Sequence, residues 1–262
     1  MLGTFLQVVR NSRMVREEIH CGFDEKVIGG YIYIPEGTGP FPLVVISHGL
    51  GGSHLGTAPY ARRLAEHGYA ACVFDFCGGT AGNGKSSGKS TEMSVLTEME
   101  DLLCVLSESE HWSFVDQSQI FLMGESQGGI VSLLTAAKNP AAFAGLIFLY
   151  TAFSLVKEAH RQFGSKEYVP REFSVFHGWI RLGKKYVTDI WDLDIETAME
   201  AYSSPVLLLH GDKDDIIPVS DSKWADRIFT NSNYYEIHGA GHGFGGEYFE
   251  EAVSKIISFL ER

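Results

Sequence analysis

Ser126 stands in Met123-Gly-Glu-Ser-Gln-Gly-Gly129, a Gly-x-Ser-x-Gly pattern with an apolar run before it and a helical pattern after it. A serine at the tip of such a strand-to-helix turn is held clear of the sheet edge on strained backbone, and the glycines let the two elements nearly touch. A hydroxyl is a weak nucleophile near neutral pH and needs a base. Of the ten histidines, His242 lies in Gly239-Ala-Gly-His-Gly-Phe244, where flanking glycines let an imidazole reach across a sheet edge. His238, at the end of the preceding strand, is the competing candidate. The imidazole in turn needs a carboxylate to fix its tautomer. The run from Leu209 to Pro218 offers Asp212, Asp214 and Asp215, and spacing alone does not separate them. Two backbone donors complete the chemistry: the Gln127 N–H at the positive end of a helix, and the Leu50 N–H in Ser47-His-Gly-Leu-Gly-Gly52. Together these groups point to acyl transfer through serine.

Residues so far apart in sequence need a scaffold to bring them to one place. Strands over 15–21 and 27–35 read as a hairpin, and short apolar runs at 43–47, 69–76, 120–123, 144–150 and 205–209 read as strands buried on both faces. Helical spacing separates them at 59–67, 91–109, 128–138 and 220–229, with a last strand at 234–237 and a last helix at 248–260. This alternation predicts an α/β fold with a mostly parallel central sheet covered by helices on both faces. The rhythm breaks over about 152–204, a polar and aromatic stretch too long for a plain connection. An inserted cap is expected there, on a core made of 15–151 and 205–262, with 1–14 as an N-terminal extension.

Composition closes off other classes. A chain of 262 residues is long enough to hold a core without a disulfide or metal staple. Asp and Glu outnumber Lys and Arg by 33 to 21, so the net charge of −12 repels phosphate backbones and argues against nucleic acid as a partner. The longest apolar stretch, 144–153, is too short to cross a bilayer. Cys21, Cys72, Cys77 and Cys104 have no paired or zinc-ligand spacing, so free thiols and no metal are expected. The apolar N-terminal residues precede Arg10, Arg13 and Arg16 and lack a cleavage site, so a cytoplasmic location is expected. Gly79 to Ser86 matches the phosphate-loop pattern letter for letter, but Ser87-Gly-Lys-Ser90 follows where a helix should begin. Nucleotide binding is therefore not expected.

The order Ser, Asp, His matches the α/β-hydrolase arrangement and neither common protease order. With His48-Gly49, Phe74-Asp-Phe76 before a Gly/Ser loop, the serine motif, His210-Gly-x-x-Asp214-x-x-x-Pro218 and Gly241-His242-Gly-Phe244, the chain resembles the α/β-hydrolase superfamily. It is similar in particular to bacterial cinnamoyl/feruloyl esterases over roughly 15–262. The resemblance implies a serine carboxylic-ester hydrolase with Ser126, Asp214 and His242 as catalytic residues, the aspartate being placed at 214 by the HGxxDxxxP motif. It implies no cofactor, a small-molecule ester as substrate, and a cap that holds an aromatic acyl group. His48, Tyr168, Trp179 and Tyr186 are the expected substrate contacts. Cys77 stands where many relatives have arginine. The alternatives are a peptidase of the same fold acting on short peptides and a non-catalytic binding protein; assembly as a homodimer is left open.

Overall fold

The computed structural model describes residues 9–11, 14–82 and 84–262. Strands β1 (Val9–Asn11), β2 (Met14–Cys21) and β3 (Ile28–Pro35) pair antiparallel. Most of the expected N-terminal extension lies outside the described residues. Where it is described, Val9 pairs with Arg16, and Met14 already belongs to β2. The alternation then runs through β4 (Phe41–Ser47), α1 (His54–Glu66), β5 (Ala70–Phe74), α2 (Val95–Ser109), β6 (Val115–Glu125), α3 (Gln127–Lys138) and β7 (Gly145–Leu149). After β7 come α4 (Leu155–Phe163), a hairpin of β8 (Glu172–Val175) and β9 (Ile180–Gly183), α5 (Lys184–Ile190) and α6 (Ile195–Glu200). The chain rejoins the main sheet with β10 (Val206–Gly211), α7 (Ser220–Ile228), β11 (Ser232–Ile237) and α8 (Glu247–Leu260).

The main sheet has the order β1-β2-β3-β5-β4-β6-β7-β10-β11, parallel from β5 to β11. Its strands alternate between two cores, which is why they read as continuous apolar runs. Leu43 and Val45 of β4, Leu122 of β6 and Leu208 of β10 belong to the core that also holds residues of α2, α3 and α7. Val44 and Ile46 face α1 and α8 on the other side. Each such side chain removed from water contributes roughly 1.5–3 kcal/mol.

Helix starts follow capping more than periodicity. Ser53 caps α1 by accepting from the Leu55 N–H, so the helix begins five residues ahead of Pro59, the expected first residue. Ser94 and Thr97 form a reciprocal capping box, which starts α2 at Val95 and leaves Thr91 in the preceding turn.

Strand β4 has β5 on one side and β6 on the other, so the chain winds away from it in both directions. Loops leaving the carboxyl ends of β4 and β6 therefore face each other across a crevice, where open α/β sheets bind ligands. Ser126 lies at the end of β6 and Gly49-Leu50 at the end of β4.

Candidate active site

Ser126 has φ 50° and ψ −119°, a strained backbone for a non-glycine residue. Its N–H donates to the Leu149 carbonyl at 2.9 Å, which ties the turn to β7. The two motif glycines are steric requirements. A Cβ on Gly124 would lie 2.4 Å from the Gly128 carbonyl oxygen, and one on Gly128 would lie 2.5 Å from those of Ser47 and His48. No side chain fits at either place.

The loop after β11 carries His242 to the serine. Its Nδ1–H donates to Asp214 Oδ2 at 2.8 Å, which leaves Nε2 to accept from Ser126 Oγ at 3.1 Å. Asp214 also accepts from the Ile216 and Ile217 N–H groups, both at 2.9 Å, and lies 3.2 Å from His210 Nε2. Burial by itself would raise the Asp214 pKa. Hydrogen bonds from His210, His242, Ile217 and Ile216 outweigh it and hold the carboxyl well below the usual carboxylate range. Behind it, His210 shares its Nε2–H with the Ile217 carbonyl at 3.0 Å and accepts from the Ser222 hydroxyl at 2.8 Å. The other sequence candidates are elsewhere. Asp212 caps the Gly239 N–H at 2.6 Å, Asp215 is exposed, and His238 is 81% exposed beside Asp212. Asp212, Glu236 and His238 come within 4.8 Å of one another, as metal ligands would. Lys223 already pairs with Glu236 at 2.7 Å, and Lys213 with Asp212 at 3.6 Å.

A cavity of about 390 Å³ opens over Ser126 and His242, with Leu50, Glu125, Tyr150, Phe176, Trp179 and Ile216 on its walls. Leu50 lines this cavity together with Ser126, and Gln127 follows Ser126 as the first residue of α3. A larger groove, about 600 Å³ between α2 and α3, shares no residue with this site.

The four side chains expected to touch substrate are placed differently from one another. Trp179 lines the cavity and is 60% exposed. Tyr168 is 77% exposed and off the wall. His48 is buried. It donates from Nδ1 to the Gly49 carbonyl at 2.8 Å and accepts from the Phe76 N–H at 3.1 Å, so it braces the β4 loop and has no ring nitrogen left for substrate. Tyr186 is also buried; its hydroxyl donates to Gln127 Oε1 at 2.5 Å, so it meets the residue after the serine and does not line the cavity.

Glu125 and Tyr150 are cavity residues that the sequence does not single out. Glu125 is inside the serine motif, where sequence treats it as a free position. Tyr150 follows β7 at φ 40° and packs its ring 4.8 Å from that of His242.

Gln127 is held from its far side as well, because its Nε2 donates to Glu98 Oε2 at 2.7 Å. Glu98 is 1% exposed, and its other oxygen has no partner among the described residues. Burial pushes this carboxyl up to about 8, with Asp101 adding to the rise and Gln127 opposing it. Between the ordinary carboxylate value and about 8, the folded chain keeps a proton that the unfolded chain has lost. The contribution of Glu98 to stability therefore falls as pH rises through that window. Urea unfolding at pH 5 and pH 8.5 should show Glu98→Gln losing less stability than wild type on going to the higher pH. Equal losses would mean that the wild-type carboxyl is already ionised.

Comparison with known proteins agrees with this architecture. A family model described as Hydrolase_4: Serine aminopeptidase, S33 matches residues 38–191. The quorum-quenching protein AidA of Acinetobacter baumannii is 29% identical over 111 residues, 42% of this chain and 35% of that protein. Dipeptidyl aminopeptidase BIII of Pseudoxanthomonas mexicana is 26% identical over 254 residues, 84% of this chain and 34% of its own. The chain thus spans about a third of the length of these curated relatives. Among solved structures, ferulic acid-bound Est1E from Butyrivibrio proteoclasticus superposes with a TM-score of 0.83 at 24% identity, over 93% of this chain and 100% of that one. The fold is that of the α/β-hydrolases.

Proposed function

The chain belongs to the Hydrolase_4 family, described as serine aminopeptidase S33, and on that premise we propose that it is a serine carboxylic-ester hydrolase working through an acyl-enzyme. The observation that carries the reading is the line of contacts from Asp214 through His242 to Ser126, at 2.8 and 3.1 Å, on a strained turn. Ser126 Oγ attacks the ester carbonyl while His242 Nε2 takes its proton. Asp214 fixes the ring and stabilises the imidazolium. The Leu50 and Gln127 amides receive the developing oxyanion, a contribution of several kcal/mol. His242 then protonates the leaving alkoxide and activates the water that clears the acyl group. No cofactor is required by this chemistry. The three residues lie on loops after β6, β10 and β11, and the elements between β7 and β10 act as the cap over them.

The substrate is a small ester, with hydroxycinnamoyl (feruloyl-type) esters as the favoured class. Support comes from the aromatic residues Phe176, Trp179 and Tyr150 on the cavity wall, and from the likeness to the ferulate-bound Est1E over its whole length. Four free thiols fit a reducing cytoplasm, and among the described residues no helix is long and apolar enough to cross a membrane.

A fluorophosphonate probe should label wild type, and the purified protein should hydrolyse methyl ferulate faster than 4-nitrophenyl butyrate. An inert ferulate ester beside fast butyrate turnover ends the hydroxycinnamoyl reading; no labelling at all ends the enzyme reading. A peptidase is the second reading, favoured by the family description and the dipeptidyl aminopeptidase relative. Release of 4-nitroaniline from dipeptide anilides faster than from any ester would select it.

A further inference from the structure

The acyl-transfer steps leave one wall of the reactive cavity without a task. Among the described residues, Glu125 is the only acidic side chain on it, and no lysine or arginine lines it. The groups that face this carboxyl are the phenols of Tyr150 and Tyr60 and the ring of His242. A carboxylate withdrawn from water is costly unless a cation or several donors offset the loss of hydration. Here two phenols and an imidazole stand in that place. Burial accordingly pushes the Glu125 carboxyl up to about 7, against the Tyr150 hydrogen bond and the field of His242. Above that pH the cavity holds an anion short of a counter-charge. The same cavity is lined by the rings of Tyr150, Phe176 and Trp179, whose negative faces attract a cation just as the carboxylate does. The net charge of −12 also draws cations toward the protein.

We propose that Glu125 is a specificity-determining residue that selects esters carrying an ammonium group near the scissile carbonyl. This selection rests on the ester-hydrolase reading and narrows its substrate class. An ammonium entering the cavity supplies the charge Glu125 lacks, while a neutral group of the same shape leaves the carboxylate uncompensated and an acidic one adds repulsion. An aromatic acyl group on an amino alcohol meets both this requirement and that of the cavity rings. A role confined to supporting His242 would affect all esters alike, so the ratio between charged and neutral substrates is the quantity to measure.

Two isosteric pairs at pH 8 and low ionic strength make the test. One is the butyrate ester of choline against that of 3,3-dimethylbutanol. The other is 4-nitrophenyl 4-aminobutyrate against 4-nitrophenyl pentanoate. In at least one pair, kcat/KM should favour the cation by about tenfold or more, a ratio that shrinks with added salt and collapses toward one in Glu125→Gln. Tetramethylammonium chloride should inhibit wild type beyond an equal concentration of potassium chloride. This measurement and the wild-type ratios decide the matter even if the variant does not fold. Turnover of the neutral esters with no cation preference in either pair overturns the inference, as does a preference that survives in Glu125→Gln. If no ester is hydrolysed at all, it is the acyl-transfer reading that has failed.

Discussion

Ser126→Ala is expected to lower kcat for ester hydrolysis by a factor on the order of 10⁶ while leaving the fold intact. The Oγ atom contributes one hydrogen bond, to His242, and the turn is held by the Ser126 N–H donating to the Leu149 carbonyl and the Gly129 N–H donating to the Ser126 carbonyl. Alanine tolerates φ 50° about as well as serine does, so the local strain is unchanged. The nucleophile alone is lost. What remains is the positioning of substrate beside the Leu50 and Gln127 amides, which leaves a small residual rate. Progress curves with 4-nitrophenyl butyrate give the rate, and intact-protein mass after fluorophosphonate treatment gives the site. An alanine variant that still accumulates the mass adduct would place the reactive hydroxyl at another serine.

Asp214→Asn is expected to cost about 10⁴ in kcat, with the protein still folded near neutral pH. The Asn oxygen can keep the Ile216 and Ile217 amides, which both bond to Oδ1 at 2.9 Å. Its NH₂ then points at His242 Nδ1 and at the Nε2–H of His210, 3.2 Å from the same carboxyl oxygen. A donor facing His242 Nδ1 forces the ring to carry its proton on Nε2. That is the atom which must accept from Ser126. The same substitution gives a pH signature in stability. Because the folded Asp214 carboxyl titrates below its unfolded value, its stabilisation is complete above about pH 4 and is lost on acidification. Urea denaturation should find the gap between wild type and Asp214→Asn widest near pH 7 and closing below about pH 4. A gap that stays constant into acid would mean that Asp214 is not charged in the native state.

Most of this candidate site is legible in the sequence. Ser126 announces itself through glycines whose only tolerable side chain is hydrogen, as the 2.4 Å and 2.5 Å clearances at Gly124 and Gly128 explain, and His242 through Gly243, whose φ of 97° suits glycine. Strands such as 43–47 were readable because two cores claim alternate residues of each. Choosing among Asp212, Asp214 and Asp215 depended on a family motif, since a turn geometry that aims one carboxylate inward and one outward leaves no trace in residue spacing. The starts of α1 and α2 were misjudged because hydroxyl caps at Ser53 and Ser94 override the apolar rhythm. Substrate contacts were the least legible. Tyr186 and His48 have the chemistry of ligand-binding side chains, and only packing reveals that each is consumed by an internal partner. Glu125 illustrates the converse, an unremarked letter inside the motif that the fold turns toward the reactive cavity.

Serine and imidazole are 116 positions apart, and each comes from a different crossover of the parallel sheet. Non-local pairings of that kind form late, after the entropy of closing long loops has been overcome. A nascent or partly opened chain therefore carries an ordinary alcohol at position 126, inert toward esters around it. On the ester-hydrolase proposal, reactivity waits for β10 and β11 to join the sheet beyond β7, so catalytic competence would report assembly of that half of the sheet.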